Sequence, residues 1–274
     1  MLMRRIPKSG ETIPAIGLGT ARTFDVGDES MAREPLREVL REYHALGGRV
    51  IDSSPMYGNA EQVVGDLAAD LNIGGRLFYA TKVWTSGQRA GIAQMEQSMR
   101  RMRTETIDLM QVHNLVDWRV HLKTLREWQE QGRVRYVGIT HYLNSAFDDL
   151  ADIMATEPLD FVQLPYNIAN REAERRLLPL AAERGIAVLV NVPFDGGSLF
   201  SAVRGKPLPT WASEFDCGSW AQFFLKFILA HPAVTCPIPA TRKRKHLIDN
   251  MQAGAGRQPN AQQRGRMVEY FASL

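Results

Sequence analysis

Short apolar runs alternate with longer stretches of helical period along nearly the whole chain. That is the pattern of strand followed by helix. The opening differs: runs at 3–6 and 12–15 flank Ser9-Gly10 and predict a small hairpin. Strands are then predicted at 16–20, 49–52, 77–82, 107–113, 134–139, 160–164, 186–191 and 234–238. Helices are predicted at 31–46, 59–71, 87–103, 120–131, 144–154, 172–184, 219–230 and 243–252, with an extra terminal helix at 261–271. Gly47-Gly48, Gly74-Gly75, Gly132 and Gly185 supply the helix stops. A long loop carrying Asp195-Gly196-Gly197 and Pro207-Leu208-Pro209 precedes the helix at 219–230.

Eight strands, each followed by a helix, argue for a parallel sheet. The 274 residues give about 34 per unit, within reach of a closed eight-fold barrel. A doubly wound open sheet usually carries a glycine-rich fingerprint after its first strand. Here that turn reads Gly17-Leu18-Gly19-Thr20-Ala21-Arg22-Thr23 and lacks the third glycine, and Gly254-Ala255-Gly256 follows a helix. The expected fold is therefore α/β, a (β/α)8 TIM barrel with an N-terminal β-hairpin and an extra C-terminal helix. No linker divides the chain, so one domain over 1–274 is expected.

Composition narrows the setting. With 45% hydrophobic and 23% charged residues the chain reads as an ordinary soluble protein. A net charge of +3 is too small to predict a nucleic-acid partner, and the one basic cluster, Arg242-Lys243-Arg244-Lys245-His246, is local. Two cysteines, Cys217 and Cys236, make no disulfide framework. No run approaches the roughly 20 apolar residues of a membrane span, and the start lacks a secretion signal. A cytoplasmic protein without a membrane partner is expected. The six histidines show no recognised ligand spacing, so no metal is expected.

Chemistry enters at the strand ends. Asp52, Tyr57, Lys82 and His113 lie at or just past the ends of the second, third and fourth barrel strands. A barrel gathers such ends at one mouth. Taken singly, each has a bland explanation: a local cap, a packing residue, a solvated charge, a structural imidazole. Together they suit reduction of a carbonyl, which needs a proton donor at the oxygen. A free tyrosine holds its proton with a pKa near 10, and a nearby ammonium lowers that value. Tyr57 is expected as the acid, Lys82 as the charge that tunes it and Asp52 as the partner of Lys82. His113 would orient the substrate oxygen.

At these residues the sequence resembles the aldo-keto reductases. Asp52-Ser53-Ser54-Pro55-Met56-Tyr57-Gly58-Asn59-Ala60-Glu61 is similar to that family's aspartate–tyrosine–glycine–glutamate signature. Thr81-Lys82-Val83-Trp84 resembles its lysine strand and Leu109-Met110-Gln111-Val112-His113 its histidine strand. Residues 130–139 resemble its passage into the fifth strand. The resemblance implies a (β/α)8 barrel that binds NADPH extended, with NADH as a second option, and a small-molecule carbonyl substrate. It implies that Gly19, Thr20 and Asp52 lie near the nicotinamide ribose. Thr140, His141 and Gln163 match the carboxamide positions, and Pro193, Phe194 and Gly196 match the segment over the pyrophosphate. Ile238, Ala240, Thr241, Arg242, His246, Asp249 and Asn250 match the adenosine end, a strand–loop–helix start that suits a phosphate.

Three positions depart from the resemblance. His141 stands where many members have asparagine. Asn191 stands at the cofactor-facing position where many have an aromatic stack. His246, shorter than arginine and largely neutral at pH 7, stands where arginine is frequent. The pocket is expected to be framed by Met56, Trp84, Trp118 and the loop at 199–211, an apolar and aromatic set. Two other readings remain. One is an NADPH-binding regulatory or redox-sensing barrel with slow turnover, and the other is a barrel hydrolase or Schiff-base aldolase built on Lys82.

Overall fold

A computed structural model describes residues 1–274. Two short strands, β1 (Met3–Arg5) and β2 (Thr12–Pro14), pair antiparallel as the hairpin. Eight parallel strands follow: β3 (Leu18–Gly19), β4 (Val50–Asp52), β5 (Phe78–Val83), β6 (Ile107–His113), β7 (Val134–Thr140), β8 (Phe161–Pro165), β9 (Ala187–Asn191) and β10 (Cys236–Pro237). They neighbour one another in sequence order, and a parallel bridge between Gly19 and Ala240 joins the last to the first. The sheet is thus a closed (β/α)8 barrel.

Helices α1 (Ser30–Ala45), α2 (Ala60–Asp70), α3 (Gln88–Arg101), α4 (Trp118–Glu130), α5 (Phe147–Thr156) and α6 (Leu177–Arg184) lie between successive strands. The short α7 (Ser198–Ala202) and α8 (Trp220–Leu229) lie between β9 and β10. α9 (Arg244–Gln252) and the extra α10 (Ala261–Ala272) end the chain. Most barrel helices bury one stripe, whereas α8 is buried all round from Ala221 to Leu229. In α1 the stripe is Leu36, Val39, Leu40 and Tyr43, spaced at the three- and four-residue steps of one helix face. The equivalent stripe of α4 is Leu122, Leu125 and Trp128 with the buried His121.

The core therefore has two parts. The larger lies between strands and helices. The smaller fills the barrel: Val50, Phe78, Ala80, Leu109, Tyr136, Phe161, Ala187, Leu189, Cys236 and Ile238, with Ile6 and Ile13 of the hairpin. The rings of Phe78, Tyr136 and Phe161 lie 5.5–6.1 Å apart between centroids. The hairpin isoleucines join them from the N-terminal side of the strands, so the lower interior is packed rather than open.

Several predicted boundaries shift for identifiable reasons. The first and last barrel strands are only two residues long. Pro237 and Pro239 have no N–H to give a ladder. Gly17 and Gly19 donate instead to the Pro237 and Pro239 carbonyls, at 2.9 and 3.1 Å. An added Cβ on Gly19 would sit 2.7 Å from the Ile238 carbonyl oxygen, so only glycine lets the seam close. The helix predicted at 172–184 is a 3-10 turn at Glu172–Glu174 followed by α6, because Pro179 suits the first turn of a helix rather than its middle. The helix predicted at 144–154 likewise splits into a 3-10 turn and α5. The long loop is also more ordered than its composition suggests. It holds α7 and a 3-10 stretch at Thr210–Phe215, pinned by aromatic contacts described below.

Candidate active site

Side chains alternate along a strand, so a step of two from an inward apolar residue stays inside the barrel. From Val50 that step reaches Asp52. From Phe78 and Ala80 it reaches Lys82, and from Leu109 it reaches Gln111 and then His113. From Tyr136 it reaches Gly138 and Thr140, from Phe161 it reaches Gln163, and from Leu189 it reaches Asn191. The inner wall is apolar below and polar at its C-terminal rim. Asp52, Lys82, Gln111, His113, Thr140 and Gln163 are all buried there.

Lys82 is fully buried and its ammonium has three acceptors. These are Asp52 Oδ1 at 2.9 Å, Asp52 Oδ2 at 2.8 Å and the Ser53 carbonyl at 2.6 Å. Burial disfavours the charge, but the Asp52 carboxylate and its neighbours outweigh it, and the Lys82 pKa is raised. Asp52 Oδ1 also accepts from Gln163 Nε2 at 2.7 Å and, weakly, from Gln111 Nε2 at 3.4 Å. The Thr20 hydroxyl and N–H both donate to the Asp52 carbonyl, at 2.9 and 3.0 Å. Glu61, on the inner side of α2, accepts from Thr81 at 2.6 Å, one residue before Lys82.

Tyr57 leaves β4 on a tight turn. Its N–H donates to the Ser54 carbonyl at 3.0 Å. The next residue, Gly58, has φ +57°, and a Cβ there would strike the Asp25 carboxylate, which also accepts from the Asn59 N–H at 2.9 Å. This turn sets the half-buried phenol over the barrel rim. The Lys82 ammonium lies 5.3 Å from its ring centroid, and the His113 ring meets it edge-on at 6.0 Å. The four residues from three strand ends therefore share one small volume.

The electrostatics correct one expectation. The Tyr57 pKa is raised, not lowered. Burial is the largest cause; Lys82 pulls the value down and Asp52 pushes it back up. An ammonium clamped by a carboxylate projects little net charge onto the phenol. His113 goes the other way: burial, then Lys82 and His141, push its pKa down to about 3. At neutral pH the pair is a protonated phenol beside an uncharged imidazole.

The Aldo/keto reductase family model matches residues 15–269. This chain belongs to the aldo-keto reductases. It is 29% identical over 204 residues to the aldo-keto reductase YhdN of Bacillus subtilis, a match that spans 68% of this chain and 60% of that protein. It is 26% identical over 258 residues to the methylglyoxal reductase YeaE of Escherichia coli, covering 91% of this chain and 89% of that one. The fold matches a thermostable aldo-keto reductase, Tm1743, solved with the inhibitor epalrestat, at TM-score 0.81 and 24% identity, over 98% of this chain and 99% of that one. It also matches an aldo-keto reductase from Klebsiella pneumoniae solved with NADPH, at TM-score 0.78 and 22% identity, over 99% of this chain and 95% of that one.

Within this aldo-keto reductase the other candidate residues fall into three places. At the rim, Thr140 donates to Gln163 Oε1 at 3.1 Å, and Asn191 Nδ2 donates to the His141 carbonyl at 3.1 Å. The His141 ring stacks on Tyr142, 5.6 Å away and nearly parallel. Gly19 ends β3, with Thr20 next along the chain, and lies beside Ile238 and Ala240 across the seam, while Thr241 is buried. In the β9 loop, Pro193 is buried, Phe194 packs 4.9 Å from Phe200, and Gly196 has φ +62° with open space around it. At the start of α9, Arg242, Lys243, Lys245 and His246 are exposed, while Arg244 pairs with Glu42 at 2.7 Å. Asp249 is occupied within the chain, accepting from Ser219 at 2.8 Å and Gln222 at 2.7 Å, and Asn250 is buried.

Met56 and Trp84 are exposed by 40% and 41%, unusual for such side chains and located at strand ends. Trp118 starts α4 with the Arg119 guanidinium 4.2 Å above its ring. Trp211 packs on Phe215, Phe223 and Tyr270. It serves the contact between α8 and α10. Two residues inside the quoted motifs carry contacts that reactive residue types alone do not predict. Gln111 is an inward polar residue two before His113, visible from strand period alone. Ser54 lies 3.0 Å from the His113 ring through its hydroxyl.

Proposed function

We propose that this aldo-keto reductase reduces a small apolar aldehyde or ketone to its alcohol with NADPH, Tyr57 giving the proton and His113 orienting the carbonyl. The observation that carries this reading is the buried Lys82–Asp52 pair beneath a protonated Tyr57, with neutral His113 edge-on to the same ring.

The rim has room in its chemistry for a cofactor. Asn191 Oδ1 and Gln111 Oε1 are buried acceptors with no partner in the chain. An amide-bearing ligand such as a nicotinamide would supply the missing donor, since buried polar atoms are rarely left unpaired. At the other end, Arg242, Lys243 and Lys245 offer cations free of carboxylate partners, as a phosphate requires. In this reading Thr20, Gln163 and Asn191 hold the nicotinamide end, the 194–197 turn lies along the pyrophosphate, and the start of α9 meets the adenosine phosphate. His246 is held below its ordinary pKa by partial burial and by Lys243 and Lys245, so it contributes a neutral ring. Bound there, NADPH supplies the hydride.

The chain's own residues do the rest. The Tyr57 phenol, kept protonated, hydrogen-bonds the substrate oxygen and delivers its proton as negative charge develops there. Lys82, fixed by Asp52, stands ready to stabilise the phenolate left behind. A Schiff-base lysine would need a free neutral amine, whereas Lys82 has three acceptors and a raised pKa. Five of the eight exposed large apolar side chains, Met56, Trp84, Tyr142, Leu143 and Phe200, stand in the connections that leave strand ends, Phe200 within the short α7. That rim favours an apolar or aromatic carbonyl over a charged one.

The test is a fluorescence titration with NADPH and NADH, followed by benzaldehyde. Tight NADPH binding with oxidation on adding aldehyde supports the reading. Binding without oxidation by any of a panel of aldehydes would favour the regulatory barrel instead. Tyr57→Phe should lose nearly all turnover yet bind NADPH as before, because its hydroxyl acts on the transition state.

A further inference from the structure

The turn that carries Tyr57 also touches His113, through a residue with no role so far. Ser54 is fully buried. Its carbonyl accepts from the Tyr57 N–H at 3.0 Å and its hydroxyl oxygen accepts from the Met56 N–H at 3.3 Å. The same oxygen lies 3.0 Å from His113 Nδ1. A hydroxyl has one proton to give and, when buried, must give it to something. The structure offers the Ser54 hydroxyl one acceptor, which is His113 Nδ1. Nδ1 then carries the lone pair and Nε2 the proton. Nε2 has no partner in the chain, and His113 as a residue retains 5% exposure, its ring edge-on to Tyr57.

We propose that Ser54 is a positioning residue that sets the tautomer of His113, so that the imidazole presents Nε2–H to the substrate oxygen. This rests on the reductase reading and deepens it. In the opposite tautomer, Nε2 would turn a lone pair towards the carbonyl oxygen and repel it. The Ser54 proton would also lose its acceptor. The choice matters at every working pH because the ring is uncharged there: with its pKa pushed down to about 3 by burial, Lys82 and His141, His113 cannot donate from both nitrogens. One turn thus places both groups that address the carbonyl oxygen, Tyr57 through a backbone carbonyl and His113 through a side-chain hydroxyl.

The experiment is long-range proton–nitrogen correlation NMR on protein labelled with ¹⁵N-histidine, without substrate or cofactor. A His113→Gln sample assigns the resonance among the six histidines. Wild type should show a protonated Nε2 and an unprotonated Nδ1. Ser54→Ala should shift His113 towards a tautomer mixture and lower kcat by roughly five- to tenfold, the worth of one oriented hydrogen bond, with NADPH binding unchanged. Ser54→Thr, which keeps the hydroxyl, should restore both. A protonated Nδ1 in wild type overturns the proposal. So does a Ser54→Ala protein whose tautomer and kcat match wild type. The spectrum needs no turnover: a wild type that binds no NADPH and reduces nothing ends the reductase reading, while the tautomer is still read directly.

Discussion

Replacing Lys82 with methionine tests the charge arrangement most directly. The substitution keeps an unbranched side chain, one atom shorter, and removes a fully buried ammonium with three acceptors. Asp52 keeps the Gln163 and Gln111 amides but loses its countercharge. Removing one partner of a buried ion pair costs about 3–5 kcal/mol, most of it from the stranded charge rather than from the lost attraction. Urea unfolding at pH 7 reads this as a lower midpoint at unchanged slope. The decisive comparison is the double variant Asp52→Asn/Lys82→Met. It has no stranded charge, and the Gln163 and Gln111 amides can still donate to the carboxamide oxygen that replaces the carboxylate. It should therefore recover roughly half or more of the stability lost by Lys82→Met alone. Both variants should lose carbonyl reduction, since neither retains the ammonium under Tyr57. A loss below about 1 kcal/mol in the single variant, or a double variant as unstable as the two singles added, refutes the reasoning.

Three further outcomes are expected. In the reductive direction, log kcat/KM should be flat from about pH 5 to about pH 9. Tyr57, whose pKa is raised, loses its proton only as pH rises through a value above the ordinary phenol, and His113 gains one only as pH falls towards 3. A titration between about pH 6 and about pH 8 in that profile would contradict the assignment. Gly19→Ala should lower stability by about 1–3 kcal/mol in thermal melts, because its Cβ meets a backbone oxygen that cannot swing away. Gly75→Ala, with open space around it, is the control and should change little. Trp84→Ala should raise KM for benzaldehyde about tenfold while leaving acetaldehyde nearly unaffected, the signature of a lost apolar contact; equal effects on both would remove Trp84 from the substrate rim.

How much of the fold and site is legible in the sequence differs by region. The strands at 77–82, 107–113 and 134–139 can be read because nearly all their residues are buried and their apolar runs are broken only by single polar residues. Their ends lie where Lys82 and His113 stand out as candidates, and the barrel's same-end rule brings these two near Asp52 and Tyr57. The closing strands are harder. At 16–20 and 234–238 the apolar runs suggest five residues each, while the prolines leave two. The order in the 192–218 segment cannot be seen at all. It depends on Trp211 meeting Phe223 of α8 and Tyr270 of α10, partners outside the segment. The sign of the Tyr57 shift is misread from sequence because a list of neighbours shows the ammonium and its carboxylate partner but not the burial, which is the largest cause. Gln111 and Ser54 escape a reading that looks for residue types that carry reactions, because neither is reactive itself and their contacts with Asp52 and His113 exist only in the fold.

The seam of the barrel bears on how the molecule breathes. Between Gly17 or Gly19 and the proline carbonyls, the donors all come from one side. A ladder with donors from a single edge opens more easily than its neighbours, so the Gly17 and Gly19 amides should exchange with deuterium ahead of those in β5 to β8. Thr20 lies on one lip of that seam and Ile238 to Thr241 on the other. A ligand that straddles both lips would act as a rivet. Its affinity would then be recorded not as a global rise in melting temperature alone, but as a local slowing of exchange at two glycines, a place where occupancy can be watched one amide at a time.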